Sequence, residues 1–191
     1  MRRCSAMTKL LLLLVSSLVL ASLLGLGADF RSYDAQRTFT VAVVADDQEL
    51  IDLTPIQPYA FINEDGKIYF DFSQYNPNYP GGGIGVSPNT TYAFDKVFKV
   101  SNDLWPNDSG YDGICIQVSV SGNAAPVLTL YSPDDVSGHT SPENAATAIN
   151  MFVEGGDYAE VGFVIATDGY AAGNMVNGQI TVVAHAGDCE V

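Results

Sequence analysis

Positive charge and histidine are scarce in this sequence. It holds eight lysine and arginine residues against 22 aspartate and glutamate residues, which gives a net charge of −14, and it holds two histidines. A surface this acidic repels nucleic acid phosphates and anionic lipid headgroups, so neither is expected as a partner. His139 and His185 belong to no metalloprotease motif, and the chain has no serine-elbow motif. We therefore expect no catalytic residues and no enzyme activity.

Helical periodicity is also missing, because no stretch after residue 27 sustains it for more than about two turns. Apolar and polar residues instead alternate at a period of two, as at Ile114, Ile116 and Val118. This pattern predicts an all-β chain, a single β-sandwich of jelly-roll or immunoglobulin-like type with about eight to ten strands. The predicted strands cover residues 37–46, 57–63, 67–72, 92–101, 113–122, 127–131, 149–153, 161–165 and 180–184, with one helical turn at 142–148.

The one long apolar run, residues 10–24, follows a basic head and precedes small residues that end at Gly27. This order is typical of a secretory signal peptide that signal peptidase removes after Gly27. A retained membrane anchor is the alternative, because the run approaches the length of a spanning helix. Cleavage leaves five basic residues against 22 acidic ones, a charge of −17. We expect a secreted protein that meets the membrane only before cleavage.

The sequence then divides into three parts. These are a signal peptide at residues 1–27, an extended segment at 28–36 and a β-sandwich domain at 37–191.

Cysteine is rare, with three residues, and Cys4 lies in the predicted signal peptide. Outside the cell the remaining pair, Cys115 and Cys189, favours a disulfide, with two unpaired thiols as the alternative. Asn89 and Asn107 begin Asn-x-Ser/Thr sequences in turn-rich segments, so both are candidate glycosylation sites.

Acidic clusters at residues 46–47, 108–112 and 134–135 offer oxygen ligands, but none has the spacing of a calcium-binding loop. We expect no cofactor, and leave a structural calcium ion open. Tyr75, Tyr79 and Trp105 lie in irregular sequence, where aromatic rings can stack on sugars. A monomeric cell-surface adhesin or carbohydrate-binding module is therefore an alternative function.

Several segments resemble an archaeal group of secreted filament (bundling pilus) subunits related to the bacterial TasA and camelysin proteins. Residues 87–102 are similar to the proline-led strand of that group, with threonine, phenylalanine, aspartate, valine, phenylalanine and asparagine in order. Residues 37–47, 161–167 and 178–184 match three further stretches. The resemblance spans nearly the whole chain after the signal peptide.

The resemblance implies a sandwich that polymerises head to tail outside the cell into pilus-like threads of a biofilm matrix. It also implies donor-strand complementation, in which the extended N-terminus of one subunit fills a groove in the next. On this sequence the donor is residues 28–36, with Phe30 and Tyr33 as anchors. The better strand by pattern is residues 37–46, so Phe39, Val41 and Val43 mark an alternative donor.

Some camelysin-like relatives are described as metalloproteases, and the resemblance therefore implies a rival activity. Two histidines on separate predicted elements do not form a zinc triad with a carboxylate. We accordingly expect a structural protein whose main partner is a second copy of itself.

Overall fold

The structure is a computed structural model that describes residues 44–78, 85–104 and 112–189. These residues belong to one compact unit, Ala42–Val191. The predicted signal peptide, the extended segment at 28–36 and most of the predicted strand at 37–46 lie outside the described residues.

Nine β-strands and one turn of 3₁₀-helix form the described part of the chain. In order, they are β1 (Ile51–Pro55), β2 (Ala60–Ile62), β3 (Ile68–Phe70), β4 (Thr91–Asn102), β5 (Ile114–Gly122), β6 (Leu128–Tyr131), the 3₁₀ turn (Pro142–Asn144), β7 (Ala148–Val153), β8 (Tyr158–Ala166) and β9 (Gly178–Ala186). The prediction of an all-β chain is confirmed.

The strands form three antiparallel sheets. A four-stranded sheet has the order β1-β4-β8-β6, a three-stranded sheet has the order β7-β5-β9, and β2 and β3 form a separate hairpin. Buried residues from all three sheets belong to one hydrophobic cluster. The arrangement is a β-sandwich, because each sheet hides one apolar face against another.

The central strand β5 shows why the alternating pattern specifies this fold. Ile114, Ile116 and Val118 are at most 1% exposed, whereas Gln117 faces solvent. Burying each of these large aliphatic side chains contributes about 1.5–3 kcal/mol. A register slip of one residue would move these buried side chains to the solvent-exposed face, so the pattern also fixes the pairing of β5 with its neighbours.

The β2–β3 hairpin covers part of the four-stranded sheet with aromatic rings. The ring of Phe70 lies 5.0 Å from that of Phe98 and 5.1 Å from that of Phe163, and Phe72 lies 4.8 Å from Phe94. Since the three-stranded sheet packs on the same inner face, the hairpin and the three-stranded sheet lie in one layer.

A β-bulge interrupts β4, where the pairing with β8 shifts between Phe94 and Phe98. Lys96 adopts a positive φ of 52° there, and its Nζ lies 2.7 Å from a carboxylate oxygen of Glu160. Three residues of β4 lie opposite one residue of β8 there, and the adjacent side chains of Val97 and Phe98 are both fully buried. The two extra residues interrupt the period of two only locally, because Phe94 and Phe98 contact the core on the two sides of the bulge.

The bulge also directs the carboxylate of Asp95 to the hydroxyl of Tyr131, which donates a hydrogen bond to it. Burial, and then the hydrogen bond and charge of Asp95, raise the pKa of Tyr131 above its usual value. The folded state therefore keeps this proton at a pH where the unfolded chain loses it. Linkage then makes stability fall as the pH rises above about 10.

Tyr131→Phe should reduce this alkaline loss of stability. Phenylalanine has no proton to release, so the free energy of unfolding of the variant should decline less steeply between pH 9 and pH 11. Urea titrations at each pH, with wild type and variant side by side, measure the difference. Equal slopes for the two proteins would show that Tyr131 does not control the effect.

Strand β1 and the 3₁₀ turn can each be compared with what the sequence predicts. The strand β1 was not predicted, because its only inward apolar residues are Ile51 and Leu53. The predicted helical turn is present as one 3₁₀ turn, with Ser141 before it and Pro142 at its first position.

Candidate docking groove

An open groove of about 1520 Å³ separates β9 from β3. Both strands lie in the same layer of the sandwich, and no ladder joins them. The inner face of the four-stranded sheet forms the floor. The apolar side chains of the floor are Leu53, Phe98, Phe163 and Ile165, and those of the walls are Phe70, Phe72, Ile180, Val182 and Ala184.

One wall of the groove is the outer edge of β9. The N–H of Gly187 donates to the carbonyl of Gly113 at 3.1 Å, and the pairing with β5 continues from there to Gly178. In an antiparallel ladder alternate residues bond to the partner, so the backbone groups of Ile180, Val182 and Ala184 point away from β5. Within the described residues no strand pairs with that edge.

The opposite wall is the outer edge of β3. The N–H of Asn63 bonds to the carbonyl of Lys67, and the N–H of Asp71 bonds to the carbonyl of Tyr59, both at 2.9 Å. The same alternation turns the backbone groups of Ile68 and Phe70 away from β2, toward the groove.

Two strand edges thus face each other across an apolar floor. Backbone groups on both edges can pair with an added strand, except the N–H of Ile68, which the carboxylate of Asp46 accepts. The groove therefore has the form of one missing strand between β3 and β9.

Asp46 holds one end of this groove. Its N–H donates to the carbonyl of Gly66 at 2.8 Å, and its carboxylate accepts the N–H of Ile68 at 2.9 Å. Its carbonyl accepts the N–H of Leu53 at 2.7 Å, which ties β3 to β1. Residues 44–46 belong to no strand in the structure, so the prediction of a strand at 37–46 is wrong at its described end. Asp46 uses its hydrogen-bonding groups to anchor a turn instead.

The two ends of the groove differ in how closely their carboxylates are crowded. We call the end at Ile51 and Asp46 the lower end, and the end at Phe72 and Gly178 the upper end. Asp46 and Glu49 line the lower end with Lys67, while Asp71, beside Phe72, is the one charged residue of the described lining toward the upper end. Burial, followed by the charges of Asp46 and Asp52, raises the pKa of Glu49. The lower end is therefore a crowded group of carboxylates.

The wall formed by β9 is fixed near its end by a disulfide. Cys115 of β5 and Cys189 are joined, with Cα atoms 4.9 Å apart and a sequence separation of 74. The bond holds the chain that follows β9 against β5. It thereby keeps β9 in place as one side of the groove.

The predicted donor residues lie outside the described part of the chain. These are Phe30 and Tyr33, and the alternative set Phe39, Val41 and Val43.

Of the two glycosylation candidates, Asn89 is described and Asn107 is not. Asn89 is exposed, has a φ of 50°, and accepts the N–H of Gly169 through its Oδ1 at 2.9 Å.

Of the candidate sugar-stacking residues, Tyr75 is described and is 72% exposed, whereas Tyr79 and Trp105 lie outside the described residues. The histidines lie apart as expected, His139 in a loop and His185 on the exposed face of β9.

Within residues 44–78, 85–104 and 112–189 no cluster of three histidine, cysteine or acidic side chains is placed to hold a metal ion. The buried carboxylate of Asp135 accepts the N–H groups of His139 and Asn150, both at 2.6 Å, so it pins a loop to β7. A search of the described residues for a helix long and apolar enough to cross a membrane finds none.

The described fold defines a β-sandwich protein with one open strand position. The model of a protein family of unknown function, DUF1102, matches residues 43–189, and the chain belongs to this family. The described lining residues of the groove lie within the matched region. A search of curated proteins found no match.

The family resemblance implied a groove but did not indicate which strands form its walls. The sequence signal lay in the alternation of β3 and β9, whose inward residues alternate as core residues do. In the structure these inward residues are only half-buried.

Proposed function

We propose that this protein is a secreted structural subunit of an extracellular, pilus-like filament that assembles by donor-strand complementation. The observation that carries the proposal is the open strand position between β3 and β9, above an apolar floor. An extended segment from a second copy would satisfy both strand edges and bury side chains in the core. Such a head-to-tail contact does not close on itself, so it builds a thread.

The donor is the segment at residues 28–36. It has nine residues, the same number as β9, so an extended copy of it spans the wall. Residues 37–43 then link the donor to the described domain, and an extended linker of this length reaches at most about 25 Å. The giving and receiving domains must therefore be close neighbours in the thread.

The two anchors take different positions in this arrangement. Side chains three residues apart in a strand face opposite sides. In a regular donor strand, Phe30 and Tyr33 therefore cannot both point into the groove. Phe30 has no polar atom and fits the apolar floor, contributing about 1.5–3 kcal/mol when buried. Tyr33 has a hydroxyl that stays wet on the outer face, beside Val183.

The remaining features agree with a role outside the cell. An acidic surface keeps the threads soluble, and the disulfide suits an oxidising compartment. An exposed Asn89 is open to glycosylation.

Deletion of residues 28–36 should abolish filaments while leaving the domain folded. Electron microscopy of protein spanning residues 28–191, beside the same protein lacking 28–36, checks the expectation. Circular dichroism provides the control for folding. The matched variants Phe30→Ala and Tyr33→Ala should differ, with assembly weakened far more by the first.

Filaments that persist after the deletion would remove residues 28–36 as the donor and leave Phe39, Val41 and Val43 as the alternative. Single particles in both samples would contradict the filament proposal. A monomeric adhesin or sugar-binding module would then be tested at Tyr75.

A further inference from the structure

The direction of a strand in the groove follows from where the chain enters its own domain. The first described residue is Val44, and Asp46 is bonded to Gly66 and Ile68 at the lower end of the groove. The N-terminal segment of each copy therefore starts from the lower end of that copy's own groove. The donor segment precedes Val44, so its C-terminal end is the end nearest the giving domain.

The two walls run in opposite directions. β3 starts at the lower end, where Asp46 joins Ile68, and Phe72 beyond it reaches Phe94 near the upper end. β9 starts at the upper end with Gly178, which pairs with Gly122, and it finishes with Ala186 beside Ile114. Any strand between them is antiparallel to one wall and parallel to the other.

The two directions give different assemblies. If the C-terminal end of the donor lay at the lower end of the acceptor, the lower ends of both copies would meet. Two such copies exchange segments reciprocally and close as a dimer, or one copy fills its own groove. If that end lies at the upper end, the lower end of each copy meets the upper end of the next, and the contact repeats without closing.

On this basis, which rests on the proposed filament function, we propose that the donated residues 28–36 of a second copy run antiparallel to β9 and parallel to β3. Their N-terminal end then lies at the lower end of the acceptor groove, beside Glu49. The orientation is what makes the assembly a filament and not a closed dimer.

Cysteine cross-linking between two different copies tests the direction. One chain carries Asp29→Cys near the start of the donor, and it is co-assembled with a chain carrying either Glu49→Cys at the lower end or Asn174→Cys at the upper end. Both acceptor positions line the groove and are exposed. Because the two cysteines are on separate chains, every mixed cross-link joins two copies. The chains are expressed at full length and collected from outside the cell, and linked peptides are quantified by mass spectrometry.

We expect the Asp29→Cys chain to link to the Glu49→Cys chain at least about tenfold more than to the Asn174→Cys chain. The ends of a nine-residue strand are about 27 Å apart. Cysteines with Cα atoms more than about 7 Å apart cannot be bridged. The matched control is an assembly in which only one of the added cysteines is present, and its cross-links report random collisions.

Preferential linking to Asn174→Cys would overturn the direction and leave the filament proposal standing. Filaments without either link would place the donor in another groove and overturn the inference as well. Absence of filaments from the unmodified protein would instead remove the proposed function on which the inference rests.

Discussion

Val182→Asp should abolish filament assembly, whereas Val183→Asp on the same strand should leave it intact. Val182 lies on the groove side of β9, and its neighbour Val183 lies on the outer face, where it is 39% exposed. A donor strand would enclose the new carboxylate at position 182 in an apolar surrounding. An unpaired charge buried in this way costs about 3 kcal/mol or more, which is on the order of a hundredfold in the strength of each joint.

The pair of variants separates assembly from folding. Both add the same charge to the same strand, so a general effect of acidity on solubility would appear in both. Electron microscopy scores filaments, and thermal unfolding of the dispersed subunits shows whether either domain is destabilised. Filaments of Val182→Asp with normal length and number would show that the groove between β3 and β9 is not the joint.

Removal of the disulfide should lower the free energy of unfolding by about 4 kcal/mol. The bond joins residues with a sequence separation of 74. In the chain-entropy model, closing a loop of this length lowers the conformational entropy of the unfolded chain and so stabilises the fold by this amount. This is a large share of the roughly 5–15 kcal/mol that keeps a typical domain folded. The double variant Cys115→Ala/Cys189→Ala, unfolded in urea beside the wild type, measures the change.

A reducing agent supplies the matched control for this experiment. It should destabilise the wild type and leave the double variant unchanged, because the variant has no bond to reduce. Since β9 is held near Cys189, the reduced wild type should also form fewer filaments. Equal stability of the oxidised and reduced wild type would show that the bond does not contribute to the fold.

Much of the fold was open to prediction because local alternation specifies it. The inward residues of β5, and the exposed position of His185 on β9, follow directly from a period of two. The helical turn predicted at 142–148 was equally visible. These features depend on a few neighbouring residues, and neighbouring residues are what a sequence displays.

Features that depend on a partner strand were not visible. The strand β1 exists because β4 pairs along its whole length, although its own sequence has only two inward apolar residues. The bulge at Lys96 shifts the pairing of β4 with β8, and it places the Asp95 carboxylate against Tyr131. Neither the shift nor the contact can be found from the spacing of residues within one strand.

The fold class, the strong negative charge and most of the strands follow from composition and periodicity, which are properties of short segments. That β3 and β9 lie in one layer with an open strand position between them is visible only in the folded chain. The same is true of Asp46, which anchors the start of the domain at the lower end of that groove. Such relations join residues far apart in the chain, and the packing of two sheets and a hairpin on one core brings them together.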